Sequence, residues 1–145
     1  MLGAMGEKRR QPTAQRAPEA CRQGQEWQDA GLRAVPVSVN LSGAQFKRKD
    51  FLESVTNALA LSGLDPRYLE LELTESIVMR QAEGTIAILA ELQAMGISLS
   101  IDDFGTGYSS LSYLRRFPIH KLKIDQSFVR DLPSDPDAAA IAAAI

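Results

Sequence analysis

Two kinds of segment follow one another along the chain. In the first kind, apolar residues recur at helical spacing, and in the second, shorter kind, apolar and polar residues alternate. A first helix is predicted over residues 19–31, followed by a strand over 35–42. The same order then recurs, with helices predicted over 51–64, 85–96 and 108–118 and strands over 68–76, 97–104 and 120–128. A last helix is predicted to begin after Pro136, so the sequence consists of repeating strand–helix units.

Strands that alternate with helices favour a parallel sheet, because two parallel neighbours need a crossover connection between them. Four consecutive βα units correspond to roughly half of a (β/α)8 TIM-type barrel, which needs about 250 residues. We therefore predict an α/β fold, a partial (β/α)8 barrel, over residues 19–145, and a disordered leader over the polar and basic residues 1–18. Both ends of this barrel segment are expected to be truncated.

Within the predicted strand 68–76, apolar and polar residues alternate, so they fall on opposite faces of the strand. The leucines at 69, 71 and 73 fall on one face, and Glu70, Glu72 and Thr74 fall on the other. In the first predicted helix, Trp27 falls along one side with Ala20, and we expect it to pack in the core rather than to stack on a nucleobase. Each element is thus expected to have one buried face.

The composition narrows the class of protein without changing this fold. Apolar residues make up 45% of the 145 residues and charged residues 23%, which is ordinary for a soluble globular protein. The net charge of −2 gives no electrostatic reason to expect a nucleic acid polymer as a partner. No apolar run approaches the ~20 residues of a membrane span, and the N-terminus has no apolar signal segment, so we expect a cytoplasmic protein.

The single cysteine, Cys21, excludes an internal disulfide and fits a reducing compartment. We expect it to act as a small hydrophobe on the first helix.

Polar side chains collect where the predicted strands end. Asn40, Glu72 and the adjacent Asp102 and Asp103 end the first three strands, and Lys123 lies near the end of the fourth. In parallel βα folds, these carboxyl ends share one face. Amide and carboxylate oxygens are ligands that Mg²⁺ or Mn²⁺ prefers, and a metal pair about 3.5–4 Å apart would relieve the repulsion between adjacent aspartates and clamp a phosphodiester. Lys123 could orient the attacking water or neutralise charge on the phosphoryl group.

Taken singly, each of these residues has an equally good structural explanation. Glu72 and Asp103 fit surface caps, and Lys123 fits a solvated charge at a strand end. Their joint placement at matching strand ends favours the metal-site hypothesis.

Four motifs make the sequence similar to a known family. They are SVNLSGAQF (38–46), LELTES (71–76), IDDFGTGYSSLSYL (101–114) and LKIDQSFV (122–129). In this order and spacing they resemble the EAL domain of bacterial cyclic-di-GMP phosphodiesterases, and the match extends from about residue 19 to the C-terminus. The resemblance implies a barrel that hydrolyses cyclic-di-GMP to linear pGpG with two divalent metal ions, Mg²⁺ or Mn²⁺.

The resemblance also implies a role for individual residues. Asn40, Glu72 and Asp102 would be metal ligands, Asp103 would be the carboxylate shared with the second metal, and Lys123 would hold the hydrolytic water.

Two further roles follow from the same resemblance. Glu75 would support the loop 103–109, which resembles a loop implicated in dimerisation and in ordering the metal site, so a homodimer through this loop is expected. Asp125 would lie near the substrate, cyclic-di-GMP.

The sequence departs from the family pattern in two respects. The Glu-Ala-Leu motif that names the family, whose glutamate is a metal ligand, is expected upstream of residue 19, where this chain has EKRRQPTAQRAP (7–18). The downstream glutamate and glutamine of the family would lie beyond Ile145. We therefore expect the 145 residues alone to have no useful phosphodiesterase activity.

Three functions stay open from the sequence. The first is a truncated metal-dependent cyclic-di-GMP phosphodiesterase. The second is a non-catalytic nucleotide- or protein-binding module, derived from an EAL domain, in cyclic-di-GMP signalling. The third is an unrelated metal-dependent (β/α)8 enzyme, which the density of motifs disfavours.

Overall fold

A computed structural model of the chain describes residues 16–80, 82–104, 114–124, 126 and 130. The strands in this part of the chain are β1 (Val37–Asn40), β2 (Leu69–Thr74), β3 (Ser98–Phe104) and β4 (Lys121–Ile124). They form one parallel sheet in the order β1-β2-β3-β4, so each strand pairs with the next along the chain. This confirms the predicted parallel sheet of consecutive βα units.

Helices connect and cover these strands. The described helical elements are α1 (Arg16–Asp29), α2 (Gly43–Phe46), α3 (Phe51–Ser62), a 3-10 turn (Pro66–Tyr68), α4 (Glu75–Met79) and α5 (Ala82–Ala94). The sequence did not predict α2, the 3-10 turn or α4, because elements this short contain too little helical periodicity. Within the described ranges, no helix is both long and apolar enough to cross a membrane.

Some predicted elements lie outside the described residues. They include most of the helix 108–118, the end of the strand 120–128 and the helix after Pro136. Residues 1–15 are also outside, and α1 begins at Arg16 rather than at residue 19. Residues 16–18, which the sequence analysis assigned to the leader, therefore belong to α1, and the disordered leader stays a prediction for residues 1–15.

Local sequence signals set the helix ends next to the sheet. The hydroxyl of Ser42 accepts a hydrogen bond from the Gln45 backbone N–H (3.2 Å), and the Gln45 side chain accepts one from the Ser42 N–H (3.1 Å), which is a capping box for α2. Helix α3 ends at Gly63, whose φ of 75° lies in the left-handed region that favours glycine. The N–H of Gly63 donates to the Leu59 carbonyl. These caps return the chain to the sheet.

Alternate residues of the strands fill an apolar core between the sheet and the helices. The leucines of β2 are at most 1% exposed, as the alternation in the sequence predicted. The core continues into β3 with Leu99 and Ile101. The helices contribute further buried side chains, among them Val55, Leu59, Val78, Leu89 and Leu92. Burial of this apolar area supplies most of the stabilising free energy.

Helix α1 packs through its small residues. Ala17, Cys21 and Gly24 are buried whereas Trp27 is 44% exposed, so the prediction that Trp27 packs in the core is wrong. A Cβ at Gly24 would lie 3.3 Å from Cγ1 of Val37, so the close approach of α1 to β1 depends on this glycine. Cys21 is fully buried, as expected of a small hydrophobe, and burial raises the pKa of its thiol to about 11.

Candidate functional site

The second face of the sheet is polar. Because side chains of a strand alternate between its two faces, Glu70, Glu72 and Thr74 of β2 lie on this face, opposite the leucines of the core. The register of the sheet pairs Asn40 with Glu72 and Thr74 with Asp102. Because paired residues of parallel strands direct their side chains to the same face, the structure brings Asn40, Glu72 and Asp102 to one end of this polar face.

Strand β3 is irregular at its two aspartates. The residues on either side, Ile101 and Phe104, pair with residues 122 and 124 of β4, so Asp102 and Asp103 together oppose Lys123. Two residues against one is the arrangement of a β-bulge, which redirects side chains. The bulge returns Phe104 to the apolar face, where it is fully buried.

The backbone at the bulge is also unusual. Asp103 has a φ of 55°, a left-handed conformation that is uncommon for residues other than glycine. Its backbone N–H donates a hydrogen bond to Oδ1 of Asp102 at 2.9 Å. Strained backbone of this kind concentrates at functional sites, where surrounding structure holds it in place.

The glutamates of β2 hold two lysines of β4. The ammonium of Lys123 donates to Oε1 of Glu72 and lies 3.9 Å from Oε1 of Glu70. The ammonium of Lys121 donates to Oε2 of Glu70 at 2.6 Å. The glutamate side chains are only 6–7% exposed, whereas those of Lys123 and Lys121 are 39% and 56% exposed. The lysines therefore neutralise two nearly buried carboxylates from the more open side.

These contacts shift two pKa values. The hydrogen bond to Glu72 is the main cause that raises the pKa of Lys123, and the charges of Glu72, Glu70 and Asp102 add to it against the opposing effect of burial. Burial is the largest single effect on Glu70 and acts to raise its pKa. The hydrogen bond and charge of Lys121, with the charge of Lys123, outweigh it and lower the pKa of Glu70. Both groups are therefore charged at neutral pH.

The structure places the remaining predicted residues as follows. Glu75 is the first residue of α4, directly after β2, and is only 3% exposed. A carboxylate in the first turn of a helix is favoured by the helix dipole. Asp125 and the loop residues 105–109 lie outside the described residues, so the roles expected of them stay predictions.

The donor atoms of the site suit a hard divalent cation in type. They are an amide oxygen and carboxylate oxygens on three adjacent strands. In addition, the Glu72 carboxylate is nearly buried and already has a positive group, the ammonium of Lys123, against it. In the described part of the chain, however, no three carboxylate, imidazole or thiolate groups converge closely enough to hold a metal ion.

Sequence reasoning missed the second ion pair of this face, Glu70 with Lys121. A signal was available, because Glu70 precedes Glu72 by two residues and Lys121 precedes Lys123 by two. With a period of two, all four side chains belong to one face. A charged residue in the middle of a buried strand needs a charged partner, and the lysine on β4 is that partner.

Comparison with known proteins relates this chain to a family. The family model described as the EAL domain matches residues 13–145. The bifunctional diguanylate cyclase/cyclic di-GMP phosphodiesterase MucR of Pseudomonas aeruginosa is 51% identical over 127 residues, which are 88% of this chain and 18% of MucR. The chain thus spans less than a fifth of the length of this relative.

Solved structures show the same fold. The MucR phosphodiesterase in complex with c-di-GMP matches with a TM-score of 0.78 and 50% identity, over 89% of this chain and 52% of that one. The manganese/c-di-GMP complex of BlrP1 from Klebsiella pneumoniae matches with a TM-score of 0.69 and 29% identity, over 90% of this chain and 34% of that one. These similarities confirm the predicted α/β fold of the TIM-barrel type.

Proposed function

The chain belongs to the EAL domain family, and on that premise we propose that it supplies part of a site that hydrolyses cyclic-di-GMP to linear pGpG with two divalent metal ions, Mg²⁺ or Mn²⁺. The observation that carries this proposal is the Lys123–Glu72 ion pair at the carboxyl ends of β4 and β2. It lies beside the bulge of Asp102 and Asp103, on the polar face of a sheet that matches the structure of a c-di-GMP-bound phosphodiesterase.

In this proposal Asn40, Glu72, Asp102 and Asp103 hold the metal ions. The ions, when bound, would supply Lewis-acid stabilisation of phosphoryl charge and a lowered pKa for bound water. Lys123 contributes a charge of its own. Its ammonium group is protonated at neutral pH, as for an ordinary lysine, and donates hydrogen bonds at Nζ. It therefore orients the attacking water or stabilises phosphoryl oxygens, and it does not act as a general base.

Three further assignments belong to the proposal. Glu75 supports the loop 103–109 from the beginning of α4, and Asp125 lies near the substrate. The same loop forms a homodimer contact, which sedimentation of the chain with and without Mn²⁺ would measure. A monomer under both conditions would remove the dimer from the proposal.

For the 145 residues alone we propose no useful phosphodiesterase activity. The carried-over ligands are only part of the family's set, and misplacement of a catalytic group by about 1 Å can already cost about 10²-fold in rate. The assay is release of linear pGpG from cyclic-di-GMP with Mg²⁺ or Mn²⁺, with the MucR phosphodiesterase as the positive control. Turnover similar to that of MucR would show that these residues suffice.

The function itself is tested separately in a chimera. Residues 19–145 would replace the corresponding segment of the MucR phosphodiesterase, which is about half identical to them. We expect the chimera to hydrolyse cyclic-di-GMP, and we expect Lys123→Met to abolish the activity. The matched control Glu91→Gln, at an exposed position of α5, should leave the activity unchanged. A folded chimera without turnover would contradict the proposal.

One observation favours a second candidate function, a non-catalytic module that binds a nucleotide or protein. No group of three potential metal ligands converges in the described part of the chain. Calorimetry of the chimera with cyclic-di-GMP and Mn²⁺ separates the two functions. Tight binding without turnover would support the non-catalytic module.

A further inference from the structure

Two adjoining cavities form a groove whose lining includes none of the paired lysines and glutamates of β2 and β4. One cavity has a volume of about 330 Å³ and includes Ile77 in its lining, and the other has a volume of about 420 Å³ and includes Leu52. Both are lined by Phe46, Lys47 and Thr85, so they are continuous along α2 and the beginning of α5. We call the two cavities together the basic groove.

The floor of the basic groove is apolar. Phe46 is 5% exposed, and Leu52, Ile77 and Ile88 are partly buried side chains that pack against the core. This floor is fixed by the core beneath it, and its upper surface is open. It can therefore bury an apolar side chain of a ligand at little cost in reorganisation.

The rim of the basic groove is positively charged. Lys47, Lys49 and Arg80 line it and are exposed, and none of the ion pairs in the described ranges involves them. Arg48 also lines it but is paired with Asp50 at 2.7 Å. Among the described lining residues there is no carboxylate. This charge stands out in a chain whose net charge is −2.

We propose that the basic groove binds an acidic peptide segment of a partner protein, with an apolar side chain of that segment on the floor. Charge complementarity selects the acidic character, and the apolar floor selects the anchor. Thr74 and Ser76, which flank Glu75, also line the groove, so the partner contacts the beginning of α4.

The test is fluorescence anisotropy of the full chain with a fluorescein-labelled amphipathic peptide of glutamate and leucine residues. We expect saturable binding that the double variant Lys47→Glu/Arg80→Glu weakens at least about tenfold. The matched control Arg33→Glu/Arg115→Glu changes the net charge equally at exposed positions that do not line the groove. It should weaken binding by less than about twofold. No saturable binding, or equal weakening by both variants, would overturn the proposal.

A second variant fills the groove without changing its charge. A Cβ at Gly84, which lines the groove, would meet no atom within 4 Å, so the side chain of Gly84→Leu would begin in open space and extend from this position of the groove lining. We expect it to weaken peptide binding at an unchanged or higher melting temperature. A peptide with serine in place of leucine should bind more weakly as well. If that peptide binds equally well and inorganic pyrophosphate displaces it, the groove is a small-anion site and the proposal is wrong.

Discussion

The two faces of β2 are built from alternate residues of one strand, and both are buried, but they are buried by different means. The leucines pack against helices and are at most 1% exposed. The glutamates of the other face are 4% and 6% exposed, and two lysines of β4 pair with them. The same strand therefore contributes to a core and to a charged face.

The contributions of the two faces to the free energy of unfolding differ accordingly. Full burial of one leucine side chain stabilises the folded state by about 1.5–3 kcal/mol. A nearly buried carboxylate loses hydration, and its ion pair offsets that loss without a large surplus. The apolar face therefore determines stability, and the charged face contributes little net stability and is available for chemistry. Substitutions on the two faces should separate these properties.

The largest expected effect on stability is on the apolar face. Leu71→Ala should lower the free energy of unfolding by about 2–5 kcal/mol, because it removes buried apolar atoms and leaves a cavity. Urea unfolding followed by circular dichroism measures the change. Leu61→Ala is the matched control, because Leu61 is 90% exposed, and it should change the free energy by less than about 0.5 kcal/mol. Equal losses in the two variants would contradict the assignment of stability to this face.

On the charged face, Glu72→Gln should change metal binding more than stability. Under the proposed function we expect the affinity for Mn²⁺ to fall about 10–100-fold, because an oxygen ligand loses its charge. Electron paramagnetic resonance of free Mn²⁺ measures the affinity. Glu91→Gln on α5 makes the same chemical change at an exposed position and should have no effect. If both variants bind Mn²⁺ like the unchanged chain, Glu72 is not a ligand.

Much of this comparison could be predicted from the sequence. The alternation of Leu and Glu between residues 69 and 74 predicts both faces of β2, because a strand has a period of two. Helix–strand repetition predicts the parallel order of the sheet. The end of α3 was also predictable, because Gly63 adopts the positive φ that ends many helices. These features depend on residues close together in sequence.

Features that depend on neighbouring elements could not be predicted. Trp27 is exposed because α1 packs through its small residues Ala17, Cys21 and Gly24. The close approach of α1 to β1 determines which face of the helix is buried. The bulge at Asp102 and its neighbour is a property of the register between β3 and β4. For Glu70, the two-residue period of the strands indicates the face on which its partner lies, but the partner itself is 51 residues away, and the register of the sheet determines the pairing. Only the assembled sheet brings these residues together.

The charged face should also make the free energy of unfolding depend on pH in the acidic range. The folded state lowers the pKa of Glu70, so its ion pairs contribute stability above the unfolded value of about 4.3, and this contribution is lost as the pH falls through the folded pKa. Glu70→Gln should therefore lose less stability than the unchanged chain between pH 6 and pH 3. Urea unfolding at each pH measures the slope. Glu53→Gln, at an exposed position of α3, should keep the original slope. Identical slopes for Glu70→Gln and the unchanged chain would show that the lysines do not stabilise Glu70.

The smallest expected effect is a loss of stability at alkaline pH, which comes from Cys21 in the apolar core. Burial raises the pKa of Cys21 to about 11, so the folded chain keeps the thiol proton while the unfolded chain releases it above about pH 8.5. Stability is then lost as the pH rises from the unfolded towards the folded pKa, by about 1 kcal/mol between pH 7.5 and 9.5. Cys21→Ala should remove this part of the loss, and unfolding of both proteins at the two pH values measures it. If the alanine variant loses as much stability, the thiol titrates equally in the folded and unfolded chains, and the contact of α1 with the core is looser than the burial of Cys21 indicates.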